Sequence, residues 1–371
     1  MLPAMLPLAT SLLPGTQGTV SPSHQYCEEV LDKQPAATGG HIWIRISKEG
    51  LSTQQARAAI ARAAVVDVAT VGFAGRRDRV GRCIQWFSVE ADKVDNPGAL
   101  RRAGTQGKMK VLDITSSHKP VTEATVSRLR YQVRIKGGNR DGGYRKARQV
   151  LDALRRGGVP NYIPLQRLGT DQVFARWGRM LCQGRPLPRQ VRASGVDPGR
   201  CLRAWQDQLF DRYLASRVED GLLGQCLPGE LVISRSAEIA VVADAEHGQK
   251  RMDSWEVVPL GPLYGEGMLA AAGEAAAREA QILSKHGMQP HQVQRLRGGR
   301  RTVRVQPTSV LVDIQGEDLN LSCELPIDCH LSCLIDEVLK TPATPDQLPA
   351  PDDAQEPEMP AQLHDPEADE S

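Results

Sequence analysis

Two stretches with the period of β-strands, residues 41–136 and 301–326, stand on either side of a long stretch, residues 171–290, whose texture is mainly helical. Strands need partners for their backbone N–H and C=O groups. The late strands therefore have to come back across the helical block and join the sheet begun by the early ones. The pattern predicts an α+β fold: a β-rich domain with a mixed or antiparallel sheet, interrupted by a largely helical insertion. A doubly wound parallel sheet, which would alternate strand and helix throughout, does not fit.

The individual elements are readable. "HIWIRISKEG" from His41 is apolar at alternate positions and closes at Gly50, as a half-buried strand does. "LSTQQARAAIARAA" follows, with Ser52 or Thr53 as helix cap. "VATVGFAG" reads as a short buried strand, and "CIQWFSVE", "KMKVLDIT" and "LRYQVRIKG" as three more. In the helical block, "DQLFDRYLASRVEDGLL" places Leu209, Tyr213, Leu214 and Val218 on one face, and "GEAAAREAQILSKHG" is a helix ended by Gly287. The strand pattern returns in "RTVRVQPTSVLVDIQGEDLNLSCELP", and "LSCLIDEVLK" closes as a helix. No internal repeat is present.

Charge is distributed unevenly. The 371 residues carry 46 Lys and Arg against 44 Asp and Glu, but nine of the acids and none of the bases fall in 341–371. Residues 1–340 thus hold 35 acids and a net charge of +11. Such a body suits a polyanionic partner, and the Pro-rich acidic tail suits disorder. The apolar N-terminus lacks the positive start of a secretory signal, and no segment is long enough to cross a membrane. Eight cysteines without paired spacing fit a reducing, cytoplasmic setting. Cys323, Cys329, His330 and Cys333 crowd into eleven residues, yet the two CxxC-type arms of a zinc site are missing, so packing is expected and metal is not. GxxxxGK[ST], GxGxxG and GxSxG are all absent, which removes support for nucleotide cofactors and serine hydrolysis.

The most informative stretch is "GFAGRRDRVGRCIQWFSV" (72–89). A lone Asp78 lies among Arg76, Arg77, Arg79 and Arg82 on a glycine-punctuated loop at a strand end. Neighbouring cations favour the ionised carboxylate. An ionised Asp on such a loop reads either as an ion-pair partner or as a nucleophile, with the arginines holding phosphate. "PNYIPLQRLG" (160–169) reads as a polar hinge or an RNA-contacting loop.

Taken together, and over about Tyr26 to Lys340, these segments resemble the TruD-type tRNA pseudouridine synthases. "GFAGRRDRVGRCIQWFSV" is similar to that family's catalytic loop, "VPNYIPLQRLG" to its N-Y-F-x-x-Q-R-[FL]-G signature, and "LPGE", "GPLYGEGML" and "RRTVRVQP" fall in family order. The resemblance implies a pseudouridine synthase catalytic sheet over 26–165 and 300–340, a largely helical α+β insertion (TRUD) domain over 166–299, a poorly matched and flexible 1–25, and a disordered tail over 341–371. It also implies isomerisation of a tRNA uridine, at position 13 of the D arm, by a cytoplasmic enzyme with no cofactor. Nothing demands a dimer, so a monomer is expected. Asp78 aligns with the family's catalytic aspartate, and Tyr131 with an aromatic that stacks on the base. Arg77, Arg79, Asn161, Arg167 and His330 are the further substrate-binding candidates. Arg77 stands where the family commonly has Lys, a change that keeps the charge, and three further positions depart from the pattern: Glu28 where a basic residue is usual, Leu129 where a polar Asn is usual, and His330 where another aromatic is usual. A weak or inactive paralogue that binds or folds RNA is the alternative these departures support.

A body of net +11 that binds RNA through its arginines should release counterions on binding. The affinity for unmodified tRNA, measured by filter binding between 50 and 200 mM salt, is expected to fall by at least about tenfold. An affinity that did not change with salt would count against a phosphate-binding surface.

Overall fold

The alternation in 41–49 forms a strand, and a sheet is built around it. The computed structural model describes residues 6–104 and 107–341, so the acidic tail from 342 onward lies outside the described residues. The first half of the chain runs β1 (Thr19–Leu31), β2 (His41–Glu49), α1 (Thr53–Ala64), β3 (Gly72–Phe73), β4 (Arg82–Glu90), α2 (Pro97–Leu100), β5 (Met109–Ser117), β6 (Val126–Lys136) and α3 (Gly143–Gly157). It then passes through β7 (Val159–Pro160), α4 (Val173–Cys182), α5 (Arg189–Ala193), α6 (Pro198–Glu219), β8 (Leu231–Ser234), β9 (Ile239–Val241), α7 (Ala245–Asp253), β10 (Val257–Leu263), α8 (Gly273–Lys285) and α9 (Pro290–Val293). The last elements are β11 (Gly299–Thr302), β12 (Arg304–Val305), β13 (Thr308–Gln315), β14 (Asp318–Pro326) and α10 (Leu331–Leu339).

Eight strands form the main sheet in the order β13-β14-β6-β1-β4-β2-β5, with β3 also beside β4. The late strands do return: β14 pairs with β6 from Leu319↔Ile135 to Pro326↔Arg128. All the pairings are antiparallel except β1 with β4, which makes the sheet mixed. Cross-strand partners share a face, so the pairs Cys27↔Cys83 and Cys27↔Tyr131 fix which residues look the same way. On that face Ile44, Ile46, Phe87 and Val89 pack on Ala56 and Ile60 of α1. Further along, Val133, Ile135, Leu321 and Leu325 pack on Val150 and Leu154 of α3 and on Leu334 and Val338 of α10. The opposite face carries charge: Glu28 pairs with Arg45 and Arg130, and Arg130 with Glu324.

Three expectations change. "VATVGFAG" is strand only at Gly72–Phe73, because the Asp67 carboxylate accepts from Ala69 N (2.7 Å) and winds Val68–Thr70 into a 3₁₀ turn. The N-terminal part of the sheet starts earlier than the pattern placed it, since β1 begins at Thr19 and lies between β6 and β4. The second sheet, β11-β10-β8-β9, supplies the strands of the α+β insertion, although β8 and β9 are too short and β10 too interrupted by Pro and Gly to show a period. Its β11 runs past the expected end of the insertion at 299, so residues 300–302 also pair with the insertion strand β10. The helix cap resolves to Ser52, which forms a reciprocal capping box with Gln55.

α6 is the axis of the insertion. It is buried nearly all round, with Leu209, Phe210, Tyr213 and Leu214 wholly enclosed, rather than apolar on one face. Its Arg217 forms a fully buried ion pair with Glu230, and the guanidinium also donates to the Leu222 and Gln225 carbonyls. Removing one partner of such a pair strands the other charge in a dry interior. Glu230→Ala is therefore expected to lower stability by about 3–5 kcal/mol, read as a fall in the chemical unfolding midpoint.

Candidate active site

Residues 74–81 connect β3 to β4, and the architecture of β4 explains how that loop is held. On one edge β4 pairs with β1 at Arg82–Ile84 and then with β3 at Phe87–Ser88. Between the two partners, Trp86 N donates to the Glu29 Oε2 carboxylate oxygen at 2.8 Å. The other oxygen, Oε1, stands 3.0 Å from Arg77 Nε, a close ion pair without the alignment of a good hydrogen bond. Burial drives the Arg77 guanidinium towards neutrality, but the Glu29 carboxylate more than offsets it, so Arg77 keeps its charge. Its remaining donors go to the carbonyls of Arg76 (2.9 Å) and Ala74 (3.0 Å).

Three more side chains fix the same loop. Arg77 N donates to Thr53 Oγ1 (2.8 Å), and Gln85 Nε2 donates to the Gly75 carbonyl (2.8 Å). Lys48, only 1% exposed, donates from Nζ to the carbonyls of Leu51 (3.0 Å), Arg77 (3.3 Å) and Asp78 (2.6 Å). Gly75 and Gly81 have φ of +103° and +85°, so the loop bends at positions where a side chain would be strained. Asp78 is thus presented on a stiff loop.

Beside the loop is a cavity of about 580 Å³, within the range of small-molecule sites. It brings together five of the residues singled out in the sequence, namely Asp78, Arg77, Tyr131, Arg167 and His330. Phe73, Leu129 and Ile163 give it apolar wall. Two of the others are elsewhere. Arg79 is exposed and outside the lining, with Nε 3.5 Å from the Gly50 carbonyl. Asn161 is wholly buried and acts behind the wall: Nδ2 donates to Thr302 Oγ1 (2.9 Å), and Oδ1 accepts from Arg301 Nη2 (2.9 Å). The same Arg301 nitrogen donates to the Asp328 carbonyl at 2.6 Å, so Asn161 ties β7, β11 and the segment before α10 into one corner. Arg77 lines the cavity, but its guanidinium is spent on Glu29 and the loop carbonyls, which makes it a support for the loop rather than the RNA contact expected of it.

The electrostatics follow from burial. Tyr131 is 6% exposed, and its phenol is pushed well above its ordinary range by burial first and then by Cys27 and the Asp78 charge. It is a neutral aromatic surface. Arg167 pairs with Asp207 at 3.1 Å from a half-exposed position. His330 caps α10: its Nδ1 accepts from Ser332 N at 3.2 Å, which leaves the ring proton on Nε2. Burial pushes its imidazole down to about 4. Glu28 points to the opposite face, where it accepts from Tyr26 Oη (3.0 Å) and pairs with Arg45 and Arg130, so its departure from the basic pattern falls outside this cavity. Among the described residues no group of three or more His, Cys, Asp or Glu is arranged to hold a metal.

Glu29, Lys48, Thr53 and Gln85 escaped the sequence reading, though a signal existed for two of them. Lys48 continues the inward phase of Ile42, Ile44 and Ile46, and Gln85 that of Phe87 and Val89. A polar residue in the buried phase of a strand must be bonded to something.

For His330 the pH linkage is direct. Its folded pKa of about 4 lies below the unfolded 6.5, so its contribution is intact above 6.5 and lost as pH falls towards 4. Between pH 7 and 5 the wild type should lose about 2 kcal/mol of stability relative to His330→Gln, measured by urea unfolding at both pH values. Equal losses in the two proteins would mean that His330 titrates normally.

The family model described as "tRNA pseudouridine synthase D (TruD)" matches residues 8–186 and 201–338. A tRNA pseudouridine synthase D of Anaeromyxobacter sp. (strain Fw109-5) is 31% identical over 359 residues, covering 94% of this chain and 99% of that protein. A protein of the same name from Thermus thermophilus is 28% identical over 361 residues, covering 95% and 98%. The crystal structure of a putative tRNA pseudouridine synthase D from Methanosarcina mazei superposes with a TM-score of 0.70 at 15% identity, covering 90% of this chain and 95% of that one, a likeness of fold. With a sheet that returns across an insertion, an aspartate on a clamped loop and a family model matched over most of its length, this chain belongs to the tRNA pseudouridine synthase D family.

Proposed function

We propose that this isomerase converts one uridine of tRNA to pseudouridine with Asp78 as its nucleophile, the target being position 13 of the D arm. The observation that carries the reading is the rigid presentation of Asp78 at a nucleoside-sized cavity with an apolar wall and arginines beside it. The target nucleotide leaves its helix and enters the cavity. Tyr131 and Leu129 offer the base an apolar surface, and Arg76 and Arg167 hold phosphate. Asp78 attacks C1′ or starts glycal formation, and the N1–C1′ bond breaks. The freed uracil turns, C5 bonds to C1′ as the bond from Asp78 breaks or, by the glycal route, as the C2′ proton is returned, the C5 proton leaves to solvent and N1 takes one up. No electrons are exchanged, so the reaction needs no redox partner. In this reading the sheet residues of 26–165 and 300–340 do the chemistry and the insertion of 166–299 adds the Arg167 side of the cavity.

Leu129 in the cavity wall favours the second reading, an RNA-binding paralogue with little turnover. One experiment separates the two. Unmodified tRNA carrying tritium at uracil C5 should lose it with the wild-type protein, whereas Asp78→Asn should release less than about one-thousandth as much while binding tRNA within about threefold. Binding without release by the wild type would establish the second reading, and an active Asp78→Asn would remove the nucleophile assignment.

A further inference from the structure

Lys48 has an unusual setting for a lysine. Its ammonium is enclosed, its three donors are all used, and all three partners are main-chain carbonyls rather than carboxylates. Burying an ammonium that only carbonyls solvate is costly, so a charge there asks for a compensating anion. Glu29, the buried carboxylate of this region, is committed to Arg77 and Trp86 N. The residue whose carbonyl Lys48 binds most closely, at 2.6 Å, is Asp78 itself. Covalent geometry then puts the Asp78 carboxylate within about 7 Å of the ammonium.

We propose that Lys48 is a positioning residue for Asp78: its three hydrogen bonds fix the loop at Arg77 and Asp78, and its charge holds the Asp78 carboxylate in the ionised, nucleophilic form. The proposal rests on the assignment of Asp78 made above. Two features of the clamp support it. The carbonyls of two successive residues, Arg77 and Asp78, converge on one nitrogen, so the peptide that carries the nucleophile cannot rotate without breaking a bond to a charged donor. Thr53 holds the same peptide segment through Arg77 N without any charge. The structure thus provides a charged hold and a neutral hold on one loop, and their effects are separable.

At an effective dielectric constant of about 20, a unit charge roughly 6–7 Å away moves a carboxylate by about 1–2 pH units. The other charged or titratable groups around Asp78 are Arg76 and Arg77 of its own loop, with Arg79 exposed beyond it, Cys27 of β1 with Cys83 of β4 beside it, Tyr131 of β6 with Glu123 ahead of it, and Arg167, Arg301, Asp328, Cys329 and His330 across the cavity. None of these is altered when Lys48 is replaced, so the difference between proteins reports Lys48.

The test is tritium release from saturating and subsaturating tRNA across pH 4.5–8 with wild type, Lys48→Met, Lys48→Arg and Thr53→Val, each checked for folding by circular dichroism. Lys48→Met should lower kcat at pH 7 by at least about tenfold, leave KM within about threefold, and move the acid limb of the kcat profile up by about 1–2 units. Lys48→Arg should keep the limb in place, and Thr53→Val should lower kcat without moving it. Lys48→Gln, which keeps neutral donors, repeats the test if Lys48→Met does not fold. A neutral Lys48 variant with the wild-type limb would overturn the charge role, and Thr53→Val with wild-type kcat would overturn the loop-holding role. Both results leave Asp78 as nucleophile standing as long as Asp78→Asn is inactive. Absence of release by the wild type itself would instead remove the functional reading.

Discussion

The backbone N–H of Trp86 is the hinge of the whole site. β4 changes partner on one edge, from parallel β1 to antiparallel β3, and a strand that changes partner leaves main-chain groups to be satisfied in the gap. Glu29 fills it by accepting from Trp86 N, and a buried carboxylate placed there needs a cation. Arg77 supplies that cation, and Arg77 is the residue before Asp78. A local problem of sheet topology is therefore solved by the charge pair that anchors the Asp78 loop. The loop's geometry is inherited from the sheet, and so is its rigidity.

This dependence explains what was legible in the sequence. Period-2 runs revealed β2, β4, β5, β6, β13 and β14, because each has one covered and one open face or is buried outright. Asp78 stood out through its arginine neighbours and its glycines. The supports did not: the buried phase of Lys48 and Gln85 shows that each must be bonded, but not to which distant carbonyl. Glu28 and Glu29 show the difficulty in two adjacent residues: one step along β1 separates a carboxylate on the charged outer face from one buried under the loop. Assigning them requires the register of β1 against β4 and β6, which depends on strands far away in the chain. The individual strands inside the helical block stayed unread for a related reason. β8, β9 and β10 are three to seven residues long, too short for a period to emerge.

The same register accounts for how the arginines divide. Arg77 points inward to Glu29, while Arg76 and Arg79 on either side are exposed. Basic residues that look equivalent in "GRRDR" thus separate into an internal counter-ion and solvent-facing charges. Arg301, from β11, is likewise held by Asn161 and the Asp328 carbonyl, and its ring of partners closes the cavity where insertion and sheet meet. The cations deepest in the cavity wall are consumed in building it. Arg76 and Arg79 face solvent instead.

Such a division suits a site that must treat two ends of a nucleotide differently. A uracil ring gains from an apolar surface that excludes water, and Phe73, Leu129 and Tyr131 provide one. A phosphate gains more from arginines that remain partly solvated, because removing both ions from water offsets much of their attraction. Arg167 keeps nearly half of its side-chain surface exposed even while paired with Asp207. A charged wall deep in the cavity would have strengthened backbone binding at the expense of the base, and an apolar rim would have done the reverse. Asp78 lines the same cavity as the apolar residues and Arg167, as the proposed attack at C1′, the carbon that joins base to backbone, requires.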